Sequence, residues 1–156
     1  MKHRFLLDEN VLFLPLRSAD ARAGQLWLDI ARNCHMLVLS PELVAKMFKC
    51  LHDLRGAAGR YPIPTFETQV RRLLTVKEKQ VWPEMHEIDS QDVQQDVRHE
   101  PDRPLAALAA AAPGCVFVTT DERTREDFNN SKHLKAKSVT AVTIAEAATL
   151  AKQRGL

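Results

Sequence analysis

The 156-residue sequence contains no apolar run approaching the roughly 20 residues that span a bilayer, so a membrane protein is not expected. Its basic start, Met1-Lys2-His3-Arg4, is followed only by Phe5-Leu6-Leu7 before Asp8 interrupts. A signal peptide needs a longer apolar stretch, which argues against secretion and for a cytoplasmic location. Cysteine is scarce: Cys34, Cys50 and Cys115 are odd in number, far apart and form no CxxC pair. Buried reduced thiols are expected rather than a disulfide framework or a thiolate metal site. Charge of one sign is also lacking, with 22 Lys+Arg against 20 Asp+Glu and a formal net charge of +2. No global bias toward nucleic acid or membrane follows, and any such partner must be read from local charge. Aromatic residues make up only 6% of the chain, which does not indicate a base-stacking platform.

Several chemistries are excluded in the same way. There is no G-x-x-x-x-G-K-[ST] phosphate loop, and Ser40, Ser90 and Ser131 lack the context of a nucleophile elbow. The six histidines show no ligand spacing; His35 reads as a strand residue, and His86, His99 and His133 as surface. Asp8-Glu9-Asn10 lacks the second Asp, two residues on, of a haloacid-dehalogenase-like phosphatase, and no acid pair suggests a receiver-type signalling domain.

What is present is 45% hydrophobic and 27% charged residues, too apolar for disorder and enough for one folded domain over residues 1–156. Arg4 to Leu7 reads as a buried strand stopping at the polar tip Asp8-Glu9-Asn10. Ala19 to Asn33 carries Leu26, Trp27, Ile30 and Ala31 at helical spacing. His35 to Leu39 is a second strand. Ser40-Pro41-Glu42 then supplies an N-cap, a first-position proline and a first-turn acid for a helix ended by Gly56 and Gly59.

Tyr61-Pro62-Ile63-Pro64 is a rigid connector, with Thr65 as cap of a helix through Leu74. Val81 to Ile88 is expected to hold a short strand, and Ser90 to cap a short helix from Gln91 to Val97. A small-residue helix carrying Leu105, Leu108, Ala109 and Ala112 opens near Asp102-Arg103-Pro104 and is broken by Pro113-Gly114. The strand Val116-Phe117-Val118 runs into Thr119-Thr120-Asp121. A last strand, Val139 to Val142, leads to the capping box Thr143-x-x-Glu146 and a terminal helix. Strands separated by helices of this length imply an α/β fold: three layers, α/β/α, around a central, mostly parallel sheet of four to five strands.

In such a sheet ligands bind beyond the carboxyl ends of the strands. Asp8 ends the first strand, Asp121 follows the strand Val116–Val118, and Asp102 stands on the loop before it. Each alone could be a turn former or a helix cap. Gathered at one edge, three carboxylates repel unless a cation sits among them, and Mg²⁺ or Mn²⁺ prefers such oxygen ligands. The corresponding chemistry is metal-assisted attack of water on a phosphodiester.

These residues carry a family resemblance. Leu6-Leu7-Asp8-Glu9-Asn10-Val11-Leu12 resembles the opening of PIN domains, and Val38-Leu39-Ser40-Pro41 their second strand and following cap. Asp102-Arg103-Pro104-Leu105-Ala106-Ala107-Leu108-Ala109 is similar to their Asp-led, alanine-rich helix, and Val116-Phe117-Val118-Thr119-Thr120-Asp121 to their closing strand end. The ordered set covers roughly residues 4 to 145. The resemblance implies a metal-dependent endoribonuclease using Mg²⁺ or Mn²⁺, with Asp8, Asp102 and Asp121 as metal ligands and Asn10 and Thr120 in support. Many PIN domains are VapC-type toxins, so it also implies an RNA substrate, a small antitoxin protein and a homodimer.

The chain departs from the family at one position. The metal-binding Glu usually found about six residues past the capping Ser or Thr is Lys46 here. Glu42, one turn earlier on the same helix face, is either its replacement or an acid complementing the helix dipole. Lys46 either neutralises the acid cluster without metal or contacts a phosphate, and a catalytically silent scaffold binding RNA or protein is the competing expectation.

Local charge fits both readings. Arg55, Arg60, Arg71, Arg72, Lys77 and Lys79 face only Glu67 and Glu78 in their segment, and Lys132, Lys135, Lys137, Lys152 and Arg154 face only Glu146. Glu84 to Asp102 holds seven acids and one Arg. A basic stripe beside an acidic pocket suits a nuclease; solvated helix faces account for the same charges.

Overall fold

The computed structural model describes residues 1–11, 21–56, 64–84 and 87–155. Gly59, Arg60, the connector 61–63 and His86 lie outside the described residues, as do the side chains of Arg55, Thr65 and Ser90.

Five strands form one sheet: β1 (Arg4–Leu7), β2 (Met36–Val38), β3 (Gln80–Val81), β4 (Val116–Val118) and β5 (Thr140–Val142). Their order is β3-β2-β1-β4-β5, and every pairing is parallel. A parallel sheet covered on both faces needs strands that are apolar on both sides. Phe5, Leu6 and Leu7 meet this in β1 and Phe117 and Val118 in β4, all buried.

The helices are α1 (Ala21–Arg32), α2 (Pro41–Gly56), α3 (Pro64–Thr75), α4 (Glu87–Gln94), α5 (Arg103–Ala111), α6 (Glu122–Asn130), α7 (Lys132–Ala136) and α8 (Ile144–Lys152), with a further turn of helix at residues 9–11. α1 packs on α3 and α8, whereas α4, α5, α6 and α7 pack among themselves. The two groups are the outer layers of a three-layer α/β/α arrangement. α1 buries Leu26, Trp27 and Ile30 at the expected spacing, and α2 buries Leu43, Met47, Cys50 and Leu51. Ala106, Ala107, Ala109 and Ala110 of α5 are buried, and the small side chains let α4 pack closely against it. No helix among the described residues is long and apolar enough to cross a membrane.

Caps fall where side-chain oxygens precede helices. Ser40 Oγ accepts from the Leu43 N–H at 3.2 Å, and Thr143 and Glu146 form the full capping box of α8.

Two elements differ from expectation, and one segment carried none. β3 is Gln80–Val81, at the very start of the segment expected to hold it, because Pro83 lacks the N–H that would continue a ladder. α4 begins at Glu87, so Ser90 lies inside the helix rather than capping it. It ends at Gln94, and Val97 reaches the core through a turn closed by Val97 N–H to Gln94 O at 3.2 Å. The segment between Asp121 and Val139 holds two helices, α6 and α7, separated by Ser131, which caps the second through the Leu134 N–H. Phe128 of α6 stacks on Phe117 with ring centroids 4.2 Å apart, tying α6 to the sheet.

Candidate active site

From β1 the chain moves to β2 and β3 on one side of the sheet, and from β4 to β5 on the other. The strand order therefore reverses between β1 and β4, which is where an open α/β sheet forms its ligand crevice. Leu7 pairs with Val118, so Asp8 and Thr119 leave the sheet side by side. The Thr119 hydroxyl donates to Asp8 Oδ2 at 3.0 Å, and the Asp8 N–H donates to Val118 O at 3.0 Å.

A cavity of about 640 Å³ opens at this edge, within the range of roughly 300–1,000 Å³ typical of ligand sites. Three consecutive strand ends contribute to its wall: Asp8, Glu9 and Asn10 after β1, Leu39 and Ser40 after β2, and Trp82 and Pro83 after β3. Glu42 and Lys46 enter from α2. His99, Pro101 and Asp102 enter from the loop and single 3₁₀ turn that lead into α5.

Asp8 is only 5% exposed. Burial pushes its carboxyl above the usual carboxylate range; the Thr119 hydroxyl opposes the rise, the neighbouring Asp102 adds to it, and the Asn10 backbone N–H opposes it. Asn10 thus supports Asp8 through its main chain, while its exposed side chain borders the cavity.

Asp102 Oδ2 accepts from the Thr124 hydroxyl at 2.8 Å and is bonded to His99 Nδ1 at 2.8 Å. Asp121 is exposed and caps α6, its Oδ1 accepting from the Thr124 N–H at 3.2 Å. Its own N–H donates to Thr119 Oγ1 at 3.2 Å. Two threonines consequently link the three acids: Thr119 joins Asp8 to Asp121, and Thr124 joins Asp121 to Asp102.

The structure therefore brings Asp8, Asp102, Glu42, Lys46 and Asn10 to one cavity and leaves Asp121 at its margin, attached through threonine bonds. Among the described residues no three His, Cys, Asp or Glu side chains lie together as a ready cation site. The Asp8 and Asp102 carboxylates nonetheless suit Mg²⁺ or Mn²⁺, which bind through one or two carboxylates and keep several waters.

Sequence reasoning missed four residues. Thr119, not the exposed Thr120, carries the hydroxyl on Asp8; the sign was its place directly after an all-buried strand. Thr124 carried a weaker sign, a hydroxyl at the third position of a helix led by Asp. His99 was read as surface, and it is exposed, but it also borders the cavity and holds Asp102. Composition also hid Trp82, one of two tryptophans, which stands half-exposed on the cavity wall while Trp27 is fully buried.

Compared with family models, with curated proteins and with solved structures, the chain matches none. Its function has to be argued from these side chains.

Proposed function

We propose that the chain is a metal-dependent endoribonuclease of the PIN type, hydrolysing RNA phosphodiester bonds with Mg²⁺ or Mn²⁺ held by Asp8 and Asp102 and, through water, Asp121. The observation that carries this reading is the pair Asp8 and Asp102, two mutually repelling carboxylates facing one cavity at the sheet's switch point. Glu9 and Glu42 border the same cavity, so four carboxylates face one lysine. A phosphodiester is repelled from such a surface unless a cation enters with it.

A bound divalent ion supplies charge neutralisation at the phosphoryl group and a more acidic water. The protein's part is orientation. Thr119 and the Asn10 backbone orient the Asp8 carboxyl and oppose the rise that burial imposes on it, and Thr124 and His99 fix Asp102. Asp121 shares the Thr119 and Thr124 bonds, so its position follows theirs. A small antitoxin partner and a homodimer belong to the same proposal, as does a cytoplasmic setting. They rest on the sequence resemblance alone.

The deciding assay is cleavage of structured and unstructured RNA with Mn²⁺ and with EDTA. Cleavage is expected only with the metal and is expected to disappear in Asp8→Asn. Activity that persists in EDTA overturns the mechanism.

One observation favours a second reading, a catalytically silent scaffold that binds RNA or protein: Lys46 borders the acidic cavity. Millimolar Mn²⁺ separates the two, since only an intact cation site raises the thermal midpoint by mass action.

A further inference from the structure

Trp82 is 49% exposed, and apart from Met1 it is the one large apolar side chain so exposed among the described residues. A single exposed apolar residue needs no explanation by itself. The position of Trp82 does, because it lies on the wall of the acidic cavity, directly beyond the end of β3. Parallel strands bring the ends of β3, β2 and β1 to one edge, so the indole and Asp8 share that edge.

The indole N–H donates to Gln80 Oε1 at 2.9 Å, which ties down the polar edge of the ring, and Pro83 follows immediately to stiffen the chain. A ring held by its edge, half in water and bordering the acidic cavity, offers a face for stacking.

We propose that Trp82 is a stacking platform for an unpaired nucleobase of single-stranded RNA, placing the adjoining phosphodiester against Asp8 and Asp102. The inference rests on the nuclease reading for its substrate class and adds to it the requirement for an unpaired base. Bases in a duplex are stacked on their neighbours and cannot reach the indole, whereas a splayed loop or single strand can.

The test is binding, with Mn²⁺ present, of a fluorescently labelled eight-nucleotide single-stranded RNA to the full chain, its phosphodiesters replaced by nuclease-resistant phosphorothioates so that the proposed cleavage is silent. Trp82→Ala is expected to weaken binding on the order of 10-fold, and Trp82→Phe to keep most of it. Replacing the bases by abasic sites is expected to weaken binding by the wild type but not by Trp82→Ala. Equal affinities for wild type and Trp82→Ala, or an equal abasic loss in both, overturn the stacking role. Metal-dependent cleavage, measured separately, keeps the two ideas apart: stacking without cleavage leaves the platform and removes the nuclease, and cleavage without stacking does the reverse. A wild type that binds no RNA overturns both.

Discussion

The Thr119 hydroxyl donates to Asp8 Oδ2 at 3.0 Å although the two residues stand 111 positions apart in the chain. Register alone produces this contact, since Leu7 and Val118 are paired and the next residue of each strand leaves the sheet together. Thr119 is fully buried, so its hydroxyl has no water to exchange for the carboxylate. Thr119→Val keeps the shape and removes the bond. It is expected to weaken Mn²⁺ binding about 10- to 100-fold, as the loss of groups that orient metal ligands does. The structural cost is expected to be about 2 kcal/mol, since Thr119 Oγ1 also accepts from the Asp121 N–H and each hydrogen bond is worth about 1 kcal/mol net. Thr120→Val, at an exposed position, is expected to change neither. Thermal midpoints titrated with Mn²⁺ read both quantities, and equal behaviour of the two variants would remove Thr119 from the site.

Asp8 is held in place at a cost to the fold. Burial raises its carboxyl above the usual carboxylate range, with Asp102 adding to the rise, so between the ordinary value near 3.8 and the folded value the native state binds more protons than the unfolded one. Stability therefore falls as pH rises through that window. Asp8→Asn removes that penalty. Without metal, the variant is expected to be more stable at pH 7 by roughly 0.5–2 kcal/mol, the usual size of such a gain at a functional site. For a chain of this length that is a rise in midpoint of about 2–4 °C per kcal/mol. The same variant is expected to gain nothing from Mn²⁺. Calorimetry with and without metal measures both, and a less stable Asp8→Asn at pH 7 would show that Asp8 serves the fold instead.

The architecture was legible because β1, β2 and β4 are short apolar runs whose ends are marked by Asp8, Ser40 and Asp121, and because Thr143-x-x-Glu146 is a local signal that tertiary contacts did not overrule. The segment 81–97 was misread for a physical reason. Pro83 cuts β3 to two residues, and Val93 and Val97 are both buried although only the first lies in α4. At the site, the acids could be found because a carboxylate after a buried strand stands out along the chain. Thr119 and Thr124 stand out less, because their importance comes from partners 111 and 22 positions away, which depend on register and on the packing of α6. The place of Trp82 on the cavity wall depends in the same way on the order of the strands.

At the opposite end of the sheet, His35 fastens the chain's end to its beginning. Its Nδ1 accepts from the His3 N–H at 3.0 Å, so its Nε2 carries the proton and donates to Gln153 O at 2.6 Å and Ala151 O at 3.2 Å. Gly155 closes on the same place, its N–H donating to Asn33 O at 2.7 Å, where a Cβ would meet Cys34 O at 2.9 Å. Burial holds the His35 imidazole below its ordinary 6.5, the Gln153 carbonyl opposes this, and His3 adds to it. A protonated His35 would set a second N–H against that of His3. The stability contributed by the neutral ring is thus present above about pH 6.5 and lost as pH falls from there toward the folded value. The wild-type midpoint is expected to drop between pH 7.5 and pH 5, and His35→Gln to show a smaller drop even if it is less stable throughout. Equal pH slopes would assign the acid sensitivity elsewhere, with His3, lowered by burial and the N-terminal charge, as the next group to test.

Lys46 and Glu42 lie one helical turn apart on the exposed side of α2, and both border the cavity. They carry opposite predictions for the same ion. An ammonium near the carboxylates favours their charged forms, which helps binding, but it also repels an incoming divalent cation directly. The repulsion acts on the divalent ion itself and is expected to dominate. Lys46→Glu is accordingly expected to tighten Mn²⁺ binding by roughly tenfold and to raise RNA cleavage. For Glu42, four residues along a helix amount to a rise of about 6 Å, close to the full reach of its side chain, so contact with the Asp8 cluster runs through water. Glu42→Gln is expected to lower Mn²⁺ affinity by less than threefold, since a water-mediated carboxylate in an exposed setting contributes little. Mn²⁺ titrations of the two variants beside the wild type, each paired with a cleavage time course, decide between them. If Glu42→Gln abolishes binding and Lys46→Glu changes nothing, Glu42 is the working acid of α2 and Lys46 faces the solvent without consequence for the metal.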